Sequence, residues 1–177
     1  LAAKVYPINP ETYYFMSKNY LNLFNKTANR TFLNKSLEKA KKAVELSPIN
    51  GMYQNNLGIV CWKLSKYKKA EKHLTLGVEY GAYLIDRYLD LGYFYYKQGR
   101  NDEAISILNR ALKLKGDSLI AANKSYKETR KQEVIKNIIN VNSLLAKIYQ
   151  QNNKNIQFQN RIKEIKSLRE VKRKLSN

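Results

Sequence analysis

Apolar residues along this chain recur three or four positions apart, in stretches of about a dozen, with short polar turns between them. That spacing predicts helices. Sliding the sequence by 34 positions lays Leu57-Gly58 on Leu91-Gly92, Ala70 on Ala104, Leu74 on Leu108, Gly77 on Ala111 and Tyr80 on Leu114. One period earlier the match is weaker: Leu23 precedes Leu57, Ala43 precedes Gly77, Leu46 precedes Tyr80 and Pro48 precedes Ala82. Each unit reads as two helices around a turn, Ser65-Lys66 in one and Gln98 to Asn101 in the next. Gly99 is free to take the left-handed conformation that ends a helix, and Ser47-Pro48 closes the first unit. Gly58 and Gly92 on the first helix, with Ala70 and Ala104 on the second, let the two approach; Leu57, Leu74, Leu91 and Leu108 fill the contact. A helical hairpin of this kind cannot bury its own face alone, and stacking similar units gives a continuous core.

Residues 117–177 break the period. Val134, Ile138, Val141, Leu145 and Ile148 still predict one long helix over 127–151, and Phe158, Ile162, Ile165, Leu168 and Leu175 a second over 157–175. Asn152 to Asn155 form the turn between them, and Leu145-Ala146 with Tyr149 look like a fourth, degenerate unit displaced 20 residues beyond the regular spacing. Residues 118–131 have little apolar period. The reading is therefore all-α. A repeat array covers 1–116, with units of about 17–50, 51–84 and 85–118, and a degenerate repeat or hairpin cap covers 117–177.

The residues Leu57-Gly58, Ala70, Leu74 and Gly77, then Tyr88, Leu91-Gly92, Tyr95, Ala104, Leu108 and Ala111, resemble the tetratricopeptide repeat family. The resemblance covers about residues 10 to 116 and is closest in the third unit. The second unit has Cys61 where an aromatic is usual and Ala82 where Pro is usual; the first has Phe24 in place of a small residue. The resemblance implies a solenoid whose first helices line a concave groove that holds another protein or peptide. Its exposed groove positions would be Asn22, Asn25, Asn29, Asn55, Asn56, Ile59, Lys63, Asp86, Leu89, Asp90, Tyr93, Tyr96 and Lys97. Some family members grip acidic chaperone tails with a clamp of Lys, Asn and Arg. Asn25 and Asn56 match it, but Leu21, Asp86 and Asp90 stand where basic residues are wanted. Carboxylates there repel a carboxylate, so the groove is expected to suit a ligand with a basic or amide group.

Charge adds a rival reading. The net charge is +19, from 33 Lys and Arg against 14 acids. An excess of this size attracts nucleic acid, anionic lipid or acidic proteins. Yet 25 of the basic residues are Lys and 20 residues are Asn, the joint rise that AT-rich coding produces. The last predicted helix holds a basic patch of Arg161, Lys163, Lys166, Arg169, Lys172, Arg173 and Lys174, expected outside its apolar stripe. The alternative to a groove-binding scaffold is thus a basic-surface RNA-binding or envelope-associated adaptor. The near-heptad stripe of that helix also permits self-association.

Candidate chemistry is sparse. His73 is the single histidine and Cys61 the single cysteine, on different predicted helices, so the two do not make a metal site. Cys61 falls at a core-facing repeat position, and the Asp102-Glu103 pair at a helix start, where it favours the helix dipole. No glycine-rich phosphate loop or nucleophile elbow occurs. No catalysis, metal or cofactor is expected. No apolar run approaches the ~18 residues of a membrane span. The chain starts at Leu1 rather than Met, which with the charge points to a processed bacterial envelope protein ahead of a cytoplasmic one.

Overall fold

A computed structural model describes residues 9–114 and 128–175, apart from the side chains of 128–130. The described residues form eight helices and no strand: α1 (Pro10–Thr27), α2 (Arg30–Leu46), α3 (Gly51–Lys63), α4 (Tyr67–Glu79), α5 (Ile85–Lys97), α6 (Asn101–Lys113), α7 (Glu128–Gln151) and α8 (Asn155–Lys174). Consecutive helices pack as hairpins, α1 with α2, α3 with α4, α5 with α6 and α7 with α8. Two compact units result, Leu1–Gly81 and Ala82–Asn177. The array boundary expected at residue 116 lies outside the described residues. So does the weakly periodic stretch up to 127; the long helix is in place from Glu128.

The repeat spacing is kept by the turns. Ser65, Gly99 and Asn153 take positive φ angles of 58°, 75° and 56°. In each case the amide one residue on donates back to the last helical turn: Lys66 N to Cys61 O (2.9 Å), Arg100 N to Tyr95 O (3.0 Å) and Lys154 N to Tyr149 O (2.9 Å). A second bond closes each turn, Ser65 N to Trp62 O, Gly99 N to Tyr96 O and Asn153 N to Gln150 O. This pair of bonds is the Schellman motif, which satisfies the orphan carbonyls at a helix end. Ser65 and Gly99 are 34 positions apart, whereas Gly99 and Asn153 are 54 apart. The displacement of 20 residues read from the sequence is thus visible in the turns themselves. Part of it is taken up by α7, which runs 24 residues where α5 runs 13.

Close approach within the middle hairpins depends on glycine. A Cβ on Gly58 would lie 2.8 Å from Leu74 Cγ, and one on Gly92 would lie 2.6 Å from Leu108 Cδ2. Leu74, Leu108, Ala70 and Ala104 are fully buried, as the repeat register requires. The first hairpin departs from this pattern. Its α1 starts at Pro10, seven residues before the repeat register places it, behind an Asn9 cap whose side chain accepts from Glu11 N. The link to α2 is also tighter, with Ala28 left-handed (φ 55°) and Asn29 capping the next helix. Serines replace the glycine–leucine contact. Ser17 Oγ donates to Ser36 O (3.0 Å) and Ser36 Oγ donates to Ser17 O (2.9 Å). Both serines are fully buried, and small hydroxyl side chains let the backbones meet while satisfying each other's carbonyls.

Leu108→Ala is expected to cost about 2–5 kcal/mol, the range for buried leucine truncations. Gly92→Ala should cost about 1–3 kcal/mol by forcing Leu108 off its rotamer, and Ser65→Gly should gain about 0.5–1 kcal/mol by relieving a left-handed serine. Urea unfolding of the three variants checks the order; equal midpoints would contradict the packing described.

Candidate functional site

The expected groove residues do not share one environment. In the first unit, Asn22 and Asn25 are exposed on α1, Lys63 is exposed at the end of α3, and Ile59 is half-buried. Asn29 is exposed, but its Oδ1 accepts from Thr31 N at 2.9 Å, so its side chain caps α2. Asn55 and Asn56 were expected in the open groove and are instead each only 5% exposed. Asn56 Nδ2 donates to Ser17 Oγ (2.8 Å), joining α3 to the serine pair. Asn55 is covered by α4, because Gly77 has no side chain: a Cβ there would lie 2.9 Å from Asn55 Cβ. Polarity misled the sequence reading, since a buried amide is as polar in sequence as an exposed one.

In the second unit, the expected residues on α5 do come together. Tyr93 is 42% exposed, its ring centroid lies 6.3 Å from that of Tyr96, and Lys97 Nζ stands 5.4 Å from the Tyr93 centroid. Lys147 of α7 reaches across, with Nζ 5.4 Å from the Tyr96 centroid. The result is a two-tyrosine platform flanked by two ammonium groups. Leu89 and Asp90 are half-buried beside it on the same helix. Asp86 is not the free carboxylate expected, because the buried Arg87 guanidinium pairs with it. Lys147 escaped the sequence reading, though it sits 54 positions beyond Tyr93. The displaced fourth unit, had its groove positions been read as well, would have named it.

The expected basic patch on α8 divides. Lys163, Lys166, Arg169, Arg173 and Lys174 are exposed and Lys172 is half-buried. Arg161 is turned into the hairpin: its Nη1 donates to Asn142 Oδ1 (3.1 Å) and to Glu164 Oε2 (3.2 Å). It therefore serves packing between α7 and α8 rather than the surface. The apolar stripe expected to be available for self-association is largely spent on that hairpin, with Ile165 buried and Phe158, Ile162 and Leu168 half-buried.

The isolated titratable groups have structural partners. Cys61 is 2% exposed, and burial pushes its thiol above the usual range, with Lys66, Lys69 and Lys41 pulling the other way. A buried protonated thiol is a poor nucleophile. Gln54 Nε2 donates to the Pro48 carbonyl (2.6 Å), which leaves Gln54 Oε1 to accept from His73 Nδ1 at 2.7 Å. His73 thus clamps α4 to α3 in its neutral Nδ1–H form. An open surface depression of about 530 Å³ includes Tyr13, Glu38 and Glu45, but Lys39 and Lys42 already pair with those two carboxylates at 2.8 Å. Among the described residues, no group of three or more His, Cys, Asp or Glu is placed to hold a metal ion, and no helix is long and apolar enough to cross a membrane.

The class defined by these hairpins, turns and glycine contacts is the helical-repeat solenoid. The family model for the tetratricopeptide repeat matches residues 85–118, which begin with the third hairpin. The small glutamine-rich tetratricopeptide repeat-containing protein 2 of Saccharomyces cerevisiae is 27% identical over 110 residues, which is 60% of this chain and 32% of that protein. The chain thus spans about a third of the length of the curated relative it matches. Among solved structures, a crystal structure of MamA aligns with a TM-score of 0.66 at 19% identity, covering 94% of this chain and 81% of that one. A second, MamA MSR-1, aligns with a TM-score of 0.59 at 20% identity, covering 95% and 83%. At such identities the likeness is one of fold.

Burial lowers the His73 pKa below the ordinary value of 6.5, with Lys72 and Lys69 adding to the effect. Below about pH 6.5 the unfolded chain binds a proton that the folded chain refuses. Stability should therefore fall as pH drops from about 6.5 toward the depressed folded value, and His73→Gln should flatten that part of the profile. Thermal melts between pH 7.5 and 5 read it directly; an unchanged slope in the variant would remove His73 as the cause.

Proposed function

We propose that this chain is a non-catalytic scaffold that holds a segment of a partner protein on the inner helices of its hairpins, with the Tyr93–Tyr96 face as the principal contact. The observation that carries the reading is the tyrosine pair between Lys97 and Lys147, with Tyr93 exposed and Tyr96 half-buried. Tyrosine offers large contact area with few rotatable bonds, which is why it is enriched where binding energy concentrates. A repeat scaffold supports the reading further, since proteins of this class are in general protein-interaction scaffolds.

The five exposed cations of α8, Lys163, Lys166, Arg169, Arg173 and Lys174, support a second reading, an adaptor that binds RNA through its basic surface. The two readings differ in salt response. Each phosphate neutralised on a single strand contributes about −0.7 to the slope of log affinity against log salt. Affinity capture from the native lysate at low and moderate salt, with nuclease treatment, compares them. One protein that survives moderate salt and is lost with Tyr93→Ala/Tyr96→Ala is the expected result. Nuclease-sensitive capture that ignores this variant and disappears with Lys166→Glu/Arg169→Glu/Arg173→Glu would move the function to α8.

A further inference from the structure

The tyrosine face carries two ammonium groups, and the half-buried Asp90 lies beside it on α5. Lys97 and Lys147 come from different helices, and each ammonium group stands over a ring at 5.4 Å. Among the described residues neither lysine belongs to an ion pair. On α5, Asp86 pairs with Arg87, and Asp90 has an interaction of its own. The other exposed residues of α7 with described side chains are Glu133 and Lys136, one acid and one cation, and the neutral Asn140, Ser143, Gln150 and Gln151.

We infer that this face selects an acidic segment of the partner, in which Asp or Glu sits next to a flat aromatic or amide group. The carboxylate lies on the Lys97 and Lys147 ammonium groups, and the flat group lies on Tyr93 and Tyr96. The inference rests on the groove reading proposed above. It reverses the preference for basic ligands drawn from Asp86 and Asp90 in the sequence. A ring under an ammonium group restricts the lysine without using its three N–H donors, so the cations are held ready for an acceptor. A lone exposed lysine–carboxylate pair contributes little. Two lysines around a tyrosine platform act together on one short segment, and the charge-assisted hydrogen bonds form beside apolar ring surface. The cations here are lysines only, and just two touch the rings. That suits a single carboxylate or a short acidic run better than the continuous charge of a nucleic-acid backbone.

Selection from a random 12-residue peptide display library on the full chain tests this, followed by fluorescence anisotropy of the enriched peptides. The expected result is enrichment of Asp and Glu next to an aromatic or amide residue. Lys97→Gln/Lys147→Gln should weaken the enriched peptides by about tenfold, roughly two modest ion pairs, while Lys163→Gln/Lys166→Gln, which removes equal charge on α8, leaves them unchanged. Replacing the acids of a selected peptide by their amides should weaken it by a similar factor. Neutral or basic peptides that lose affinity with Tyr93→Ala/Tyr96→Ala and ignore the lysine variant would overturn the acidic preference and leave the groove reading standing. Acidic peptides weakened equally by both lysine pairs would show only the general positive field, and would overturn the assignment to this face. No enriched peptide, or enrichment indifferent to both the tyrosine and the groove lysine variants, would sink the inference and the groove reading together. Circular dichroism melts of each variant confirm that it is folded before it is scored.

Discussion

The middle hairpins stand on one steric relation: a glycine on the first helix meets a leucine on the second at a distance no side chain could share. Gly58 admits Leu74 and Gly92 admits Leu108, each with less than 3 Å between the leucine and the position a Cβ would fill. This contact lets two helices of only 13 residues, too short to be stable alone, bury enough of each other to persist. It also leaves one side of α5 free of core duty. The residues of α5 that face away from the contact, Tyr93 and Lys97, are exposed for that reason. The candidate site is a by-product of how the hairpin is closed.

The turns were the most legible part of the chain, because their requirement is local. A left-handed residue followed by a back-donating amide is needed wherever a helix ends in a Schellman motif, and Gly99 announces it. Ser65 and Asn153 meet the same requirement with residues that do not announce it alone; the repeat spacing pointed to Ser65, and the run of polar residues between two helical patterns pointed to Asn153. The buried network of Ser17, Ser36 and Asn56 was not legible. Serine and asparagine carry no periodic hydrophobic signal, and their partners lie 19 and 39 positions away. One clue existed: Ser36 stands 34 residues before Ala70, at a position the repeat keeps small. Arg161 was misplaced for a similar reason. Its charge suggested the surface, while the amide of Asn142 and the acid of Glu164 made the interior of a hairpin acceptable.

Some of the asparagine that looked like coding bias has a structural task. Asn9, Asn29 and Asn50 each cap a helix by accepting from an amide two residues on. The other side of the composition, the lysine excess, is not handled evenly. The first turn of α6 carries Asp102 and Glu103, which favour its dipole, and Lys68 and Lys69 hold the same two positions in α4. Two hairpins with one backbone plan therefore present opposite charge at equivalent sites. Geometry and electrostatics vary separately along this array, so the fold can be shared while each face keeps its own chemistry.

The serine pair of the first hairpin takes its third partner from the hairpin that follows it. Similar units in tandem invite mispairing, because any hairpin offers much the same apolar stripe to any other. Ser17 and Ser36 are sealed from water, and the donor that completes them is the Asn56 amide of the next hairpin. One repeat later, the residue at that position is Asp90, 34 places on. Were the third hairpin to stack on α1 in place of the second, an acceptor with a negative charge would replace the amide donor in a dry interior, which is strongly unfavourable. Three small polar side chains thus distinguish the second hairpin from the third as a neighbour for α1.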